Sequence, residues 1–330
     1  MKMQNVLVTG VTGYVGREVV HQLLANGKSV TALGRSHPSE NIPFIQADLT
    51  KADQLNQALE GKSFDCIMHL ASLPGDTGDP LQMVDVNVNG LQNLLENARM
   101  MEVNRFVLAS SISAYEWYPA TKFNPPDYMP VDENHPCRPQ DMYSTTKRMQ
   151  EELALTYYHQ FNLPATVLRL TAVIGPFGRG GGRGWRKFAE QLEEGVRVEI
   201  PHFSAEELCH YVDYRDVARM HIAAAVHPAA AGQIFNCCGP NPTRGSEFVE
   251  IINRLSPNIK VDVGFPWSMA QGGEIAFDMS KAKARIDFEP IYSVADSIQS
   301  IKDWVDTGGL VEDRSASDTS YGGGVEGSDN

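Results

Sequence analysis

The chain has 330 residues, 42% of them hydrophobic and 21% charged, with a formal net charge of −13. That length suits one large α/β unit or two joined lobes. The acidic balance disfavours a nucleic-acid partner, because the mean field repels a polyanion, and no run of about eighteen apolar residues is present to span a membrane.

The predicted elements alternate from the start. Residues 1–5 lead into Val6-Leu7-Val8 without the apolar stretch and cleavage site of a signal peptide, so a cytoplasmic location is expected. Strand-like runs at 6–8, 30–33, 44–47, 66–70 and 105–109 are separated by helical stretches at 16–25, 48–59 and 88–100. This alternation predicts an α/β fold of the Rossmann type, a doubly wound parallel sheet with helices on both faces. Pro119, Pro125, Pro126, Pro130, Pro136 and Pro139 mark a long loop over 116–140, read equally as a surface excursion or a functional segment. A helix over 141–159 carries Met149, Leu153 and Tyr157 on one face, and a buried strand follows at 165–170. Beyond 171 the pattern is irregular. A glycine- and arginine-rich stretch at 178–184 reads as a mobile loop, strands return at 211–212 and 233–236, and the Ser/Gly/Asp tail at 314–330 is expected to be disordered.

The five cysteines, Cys66, Cys137, Cys209, Cys237 and Cys238, are odd in number and irregularly spaced. They form no disulfide framework, and no Cys/His cluster has metal-ligand spacing, so no metal is expected. Cys66 and Cys237 read as small core residues. Redox activity of the Cys237-Cys238 pair is disfavoured.

Chemistry enters at Thr9-Gly10-Val11-Thr12-Gly13-Tyr14-Val15-Gly16, which follows the first strand and opens the first helix. Gly10 permits a tight turn. Gly13 lets backbone approach a pyrophosphate on the helix N-terminus, and Gly16 allows close helix–strand packing. The second strand ends in Leu33-Gly34-Arg35-Ser36, with no carboxylate to hold a ribose 2′-hydroxyl. Arg35 and Ser36 suit a 2′-phosphate, so NADP is the expected cofactor and NAD the alternative. Tyr143 and Lys147 lie at i and i+4 on the long helix, where an ammonium beside a phenol favours phenolate and proton exchange during hydride transfer.

Together these residues resemble the extended short-chain dehydrogenase/reductase family, also called the NAD-dependent epimerase/dehydratase family, over roughly residues 4–306. Asp48-Leu49, His69-Leu70-Ala71, Asn87-Val88-Asn89-Gly90 and Ala109-Ser110-Ser111 match its motifs. So do Leu168-Arg169-Leu170, Gly175-Pro176, Tyr211-Val212-Asp213 before Asp216-Val217-Ala218, the stretch from Phe277 to Ala282, and Trp304. The resemblance implies a catalytic set of Ser111, Tyr143 and Lys147. It implies cofactor contacts from Gly10, Thr12, Gly13, Tyr14, Val15 and Gly16, from Arg35, Ser36, Asp48 and Leu49, and from Leu70, Ala71, Ser72, Asn87 and Ala109. Tyr143, Lys147, Leu170, Thr171 and Val173 complete that set. It further implies a homodimer formed through the Tyr143 helix and the helix after Asn87. The nucleotide domain would span 1–170, with 211–237 returning to it, and a smaller C-terminal substrate-binding lobe would span 171–210 and 238–313.

Departures from the family pattern bear on substrate. Ile112 and Ser113 stand where 4,6-dehydratases carry Asp and Glu, which argues against dehydration. Ala172 stands where nucleotide-sugar epimerases carry Asn, and Cys209 or His210 where they carry Arg. Ser113, Arg179, Arg183, Arg186 and His210 are the candidate substrate contacts, with a solvated loop as the competing reading of the arginines. The segment 211–218 resembles NADP-dependent ketone and aldehyde reductases of the family. The favoured reading is thus an NAD(P)(H)-dependent oxidoreductase acting on a secondary alcohol or ketone of a sugar or other hydroxylated small molecule. The alternative is a sugar or nucleotide-sugar epimerase. A non-catalytic redox sensor is disfavoured by the presence of both Tyr143 and Lys147.

Overall fold

The structure, a computed structural model, describes residues 3–75, 79–115, 125–176, 183–264 and 273–310. In chain order it contains β1 (Asn5–Thr9), α1 (Tyr14–Ala25), β2 (Ser29–Gly34), β3 (Phe44–Gln46), α2 (Ala52–Leu59), β4 (Cys66–His69), α3 (Pro80–Val84), α4 (Gly90–Met100), β5 (Arg105–Ser111), α5 (Met142–Phe161) and β6 (Ala165–Leu170). There follow β7 (Ala172–Ile174), α6 (Arg183–Glu194), β8 (Arg197–Glu199), β9 (Leu208–Cys209), β10 (Tyr211–Asp213), α7 (Tyr214–Val226), β11 (Gln233–Cys237), β12 (Thr243–Arg244), α8 (Gly245–Leu255), β13 (Lys260–Asp262), α9 (Ser280–Ile286) and α10 (Val294–Asp306).

A seven-stranded sheet runs β3-β2-β1-β4-β5-β6-β11, and every pair in it is parallel. The strand order reverses between β1 and β4, which sets a crevice beyond their carboxyl ends. Both faces of the sheet are covered, so its strands are apolar at successive positions. Val6 and Val8 pack with Val19, Val20 and Leu23 of α1, while Leu7 points the other way into Leu33, Ile67, Leu91 and Leu94. A further core joins Trp185 and Phe188 of α6, Phe248 and Ile252 of α8, and Ile298 and Ile301 of α10. The pair β7 and β10, parallel at Ala172–Tyr211, lies between this core and the sheet.

Several expectations are corrected. The second helix begins at Ala52 rather than 48, because the Asp48 carboxylate turns back to accept the Thr50 N–H at 3.0 Å and hydroxyl at 2.9 Å. The segment Asp85–Asn89 is a π-helical turn leading into α4, where a helix start at 88 was expected. α5 starts one residue after Asp141, whose carboxylate caps Ser144 N at 2.7 Å. The irregular region holds a full helix, α6. Its glycine-rich entry hides the spacing of Trp185, Phe188, Ala189 and Leu192, which share one face of the helix.

Of the expected mobile loop, 178–182 lie outside the described residues and 183–184 open α6. Residues 116–124 of the long loop and the tail 314–330 also lie outside them. No helix of the described residues is long and apolar enough to cross a membrane. None of their His, Cys, Asp and Glu side chains cluster in a way that could hold a metal. Cys66, Cys209, Cys237 and Cys238 are buried, and burial pushes the Cys66 thiol up to about 12, the direction that makes a thiol inert.

Candidate active site

The turn after β1 is fixed by contact with the strand beside it. Gly10 has φ of +74°, and a Cβ there would lie 2.7 Å from Ala71 N. A Cβ on Gly16 would meet Gly10 O at 2.2 Å, so α1 and the turn touch backbone to backbone. The buried Thr9 hydroxyl accepts from Leu70 N at 3.3 Å and Ala71 N at 3.2 Å. Its own proton must then go to His69 Nδ1, 2.8 Å away. That fixes the proton of neutral His69 on Nε2. Burial first, and the Lys147 charge second, hold this imidazole down near about 3.

Gly13 is the N-cap of α1, with no side chain capping the helix and no acidic residue in its first turn. The first amides and the positive end of the helix dipole therefore suit an anion such as a pyrophosphate. Leu70, Ala71 and Ser72 are half-buried along the opposite wall. Ser72 donates to Asn87 Oδ1 at 3.0 Å, and the same oxygen takes Leu73 N at 2.7 Å. Leu49 packs against Gly90, where a Cβ would sit 3.1 Å from the Leu49 Cβ. This cradle fits a dinucleotide. Thr12 and Val15 are half-buried in the turn and the first helical turn, while Arg35 and Ser36 are exposed at the end of β2.

Ser111 ends β5, and Tyr143 and Lys147 lie on α5, which packs against that strand. Lys147 is buried, and its Nζ donates to Ala109 O at 3.1 Å. It lies 5.7 Å from the centre of the Tyr143 ring. Burial lowers its pKa to about 8, partly opposed by the Glu151 charge. Tyr143 is half-buried at the start of α5. Ser111 Oγ accepts from Ser113 N at 3.1 Å and pairs with Ser113 Oγ at 2.8 Å. Ser113 is buried, so it sets the Ser111 hydroxyl. Leu170 and Val173 are half-buried and Thr171 is buried. Thr171 is tied to Cys237 O through its N–H at 3.0 Å, and the Tyr14 phenol donates to Val173 O at 3.2 Å.

Sequence reasoning named Asn87 as a cofactor contact and Arg169 within a motif, but missed the side chains that pair with them, Thr146, Gln150 and Glu151. Asn87 Nδ2 donates to Thr146 Oγ1 at 3.1 Å, and Gln150 Nε2 donates to Asn87 O at 2.6 Å. One carboxamide thus joins the Ser72–Leu73 wall to the Tyr143 helix. The buried Glu151 takes both guanidinium arms of Arg169, at 2.9 and 2.8 Å, and the Ser110 hydroxyl at 2.7 Å. The readable signal was polar residues at 146, 150 and 151 on the helix that carries Tyr143, on the side turned to the sheet.

The candidate substrate contacts are placed unevenly. Arg179 lies outside the described residues, as does the side chain of Arg183. Arg186 pairs with Glu190 of its own helix at 3.2 Å. His210 is buried, with one ring nitrogen 2.9 Å from Gly239 O and the other accepting Phe277 N at 3.0 Å. It ties loops together and has no nitrogen left for a substrate, and burial holds it neutral, near about 4.

A doubly wound sheet with a glycine turn at its switch point and a Ser/Tyr/Lys set beside it defines a nicotinamide-dependent enzyme of the extended short-chain dehydrogenase/reductase class. Residues 6–238 match the NAD dependent epimerase/dehydratase family, and the chain belongs to it. Among curated relatives, it is 30% identical to a UDP-glucuronate 4-epimerase of Thermodesulfobacterium geofontis, over 90% of this chain and 95% of that protein. Among solved structures, it resembles an epimerase of Methanothermobacter thermautotrophicus, with a TM-score of 0.81 and 22% identity over 95% of each chain. It also resembles UDP-glucuronic acid 4-epimerase of Bacillus cereus, solved with UDP-glucuronic acid and NAD, with a TM-score of 0.75 and 22% identity over 92% and 99% of the two chains.

Proposed function

We propose that this enzyme inverts a secondary hydroxyl of a nucleotide-linked sugar, with NAD bound in the groove and unchanged over the full cycle. The observation that carries this reading is the site's proton inventory. In this reading Tyr143 and Lys147 exchange the proton, and Ser111 holds the reacting oxygen. Buried Ile112, and Ser113 bonded to Ser111, replace the carboxylates that a dehydratase needs. The likeness to UDP-sugar 4-epimerases supports the same choice, against the net reductase favoured by the sequence.

When bound, the nicotinamide supplies a reversible hydride acceptor. The chain's residues do the rest. Tyr143, its phenolate favoured by the Lys147 ammonium, takes the proton of the reacting hydroxyl. Ser111 donates to the oxygen as it becomes a carbonyl, and Tyr143 returns the proton after the sugar presents its other face. The substrate would lie over β7 and β10, against the lobe formed by 171–210 and 238–313, and a homodimer would form through α4 and α5. NAD replaces the NADP expected from Arg35 and Ser36. Both of those residues are exposed, and the Bacillus cereus relative was solved with NAD.

A second reading, net oxidation of a sugar that carries no nucleotide, is favoured by Ala172, Cys209 and His210. Ala172 has no polar group, Cys209 is buried and His210 is consumed by backbone. Incubation with UDP-glucuronate, UDP-glucose and the free sugars separates the two. Inversion without net absorbance in the reduced-nicotinamide band supports epimerisation. Stoichiometric absorbance with a free sugar supports the second reading.

A further inference from the structure

The end of β5 is paired on one side only. β4 stops opposite Leu108, whereas β6 continues to Ser111. Side chains alternate along the strand. Phe106 and Leu108 enter the core that holds Ala154 and Tyr157 of α5, so Ser110 faces α5 and Ser111 the opposite side. The buried Ser110 hydroxyl donates to Oε1 of the buried Glu151 at 2.7 Å. That carboxylate has no freedom to turn. It takes Arg169 Nε at 2.9 Å and Nη2 at 2.8 Å, and Oε2 also takes Arg148 Nη1 at 3.2 Å. Arg169 is itself fixed, opposite Ser110 in the sheet and with its guanidinium 4.5 Å from the centre of the Tyr115 ring.

Ser110 separates two groups that the reaction uses. On one side is the Ala109 carbonyl, which accepts from Lys147 Nζ at 3.1 Å. On the other is the Ser111 hydroxyl. Glu151 stands one helical turn after Lys147, on the same face of α5. We propose that Ser110 and Glu151 are a positioning pair. Glu151, anchored by Arg169, grips the half-paired end of β5 and thereby fixes the Ala109 carbonyl under the Lys147 ammonium and the angle of the Ser111 hydroxyl. The inference rests on the Ser111, Tyr143 and Lys147 reading of the site, but not on which sugar is turned over.

Ser110→Ala isolates the bond, because the Glu151–Arg169 pair keeps its charge and its contacts. Lys147 faces Tyr143 and Glu151 on its own helix and neutral His69 on β4, and Tyr143 also faces Tyr14 of α1. None of these is altered in the variant, so a shifted ionisation reports geometry. The test is an ultraviolet difference titration of the NAD complex, each protein against its own Tyr143→Phe counterpart, which reads the Tyr143 phenolate without a sugar. The wild type should ionise below the ~10 of a free phenol. Ser110→Ala should raise that midpoint by about one unit, with its thermal melt little changed. Glu151→Asp, which withdraws the carboxylate but keeps its charge, should move it the same way. With UDP-glucuronate, kcat of Ser110→Ala should fall about 10-fold while KM holds. Folded Ser110→Ala and Glu151→Asp variants with the wild-type midpoint overturn this assignment alone. A wild-type midpoint at the free-phenol value overturns it together with the Tyr143–Lys147 reading.

Discussion

The two walls of the groove are built on different terms. On the dinucleotide side, glycines sit where a single added carbon would strike backbone. Buried Thr9, His69 and Asn87 use their polar atoms to lock β1, β4 and α5 together. On the side where the substrate is proposed to lie, polar residues bond inward to the protein: His210 holds two loops and Ser113 holds Ser111. The contrast teaches that the cofactor side is fixed by rigid backbone, whereas the other side is fixed by a few side chains bonded inward.

That division can be broken in graded ways, and the catalytic pair should give the largest effect. Tyr143→Phe is expected to cut turnover by about 10² to 10⁴, with circular dichroism and NAD affinity retained. Near-normal turnover would remove Tyr143 from its role. Glu151→Ala strands the Arg169 guanidinium and the Ser110 hydroxyl in the core. It should cost about 3–5 kcal/mol in denaturant unfolding, much of it restored if Arg169 is replaced by Met in the same chain. Gly16→Ala forces a carbon against Gly10 O. A cost of about 1–3 kcal/mol, together with weakened NAD binding, is the expected signature; a variant with unchanged affinity would show that the turn yields.

The sugar side should respond more weakly. His210→Ala unpairs Gly239 O and Phe277 N and should lower stability by about 1–3 kcal/mol, while KM for the sugar stays as it was. A large rise in KM with stability unchanged would return His210 to the substrate site.

Lys147 sharpens the comparison through pH. Its folded pKa is lowered to about 8 by burial, against about 10.4 for an unfolded lysine. Between these values the unfolded chain binds more protons, so this residue makes stability rise with pH across that window. Activity moves the opposite way, because the ammonium that favours the Tyr143 phenolate is lost as pH rises through about 8. Turnover should therefore fall on the alkaline side with a midpoint near that value, and Lys147→Arg should move the limb upward.

Much of the first half was legible because one cause dominates each signal. A glycine that must touch backbone has no substitute, and strands covered on both faces must be apolar at successive positions. Helix geometry sets Tyr143 and Lys147 on one face, and the family resemblance, not that spacing alone, singled them out. The Thr9–His69 lock, the Asn87 cross-link and the Ser110–Glu151 bond join residues far apart in sequence, so no local pattern announces them. Helix α6 was hidden by the glycines before it. The two backbone bonds of His210 were not legible either, because a histidine shows the same letter whether it faces a ligand or two backbone groups.

The central claim, hydride removed from and returned to one carbon on a retained NAD, is tested most directly with UDP-glucuronate deuterated at C4. The account predicts the C4-inverted sugar with deuterium kept at the same carbon, and no net growth of the reduced-nicotinamide band. Deuterium appearing in released reduced cofactor in proportion to a ketone product would contradict it.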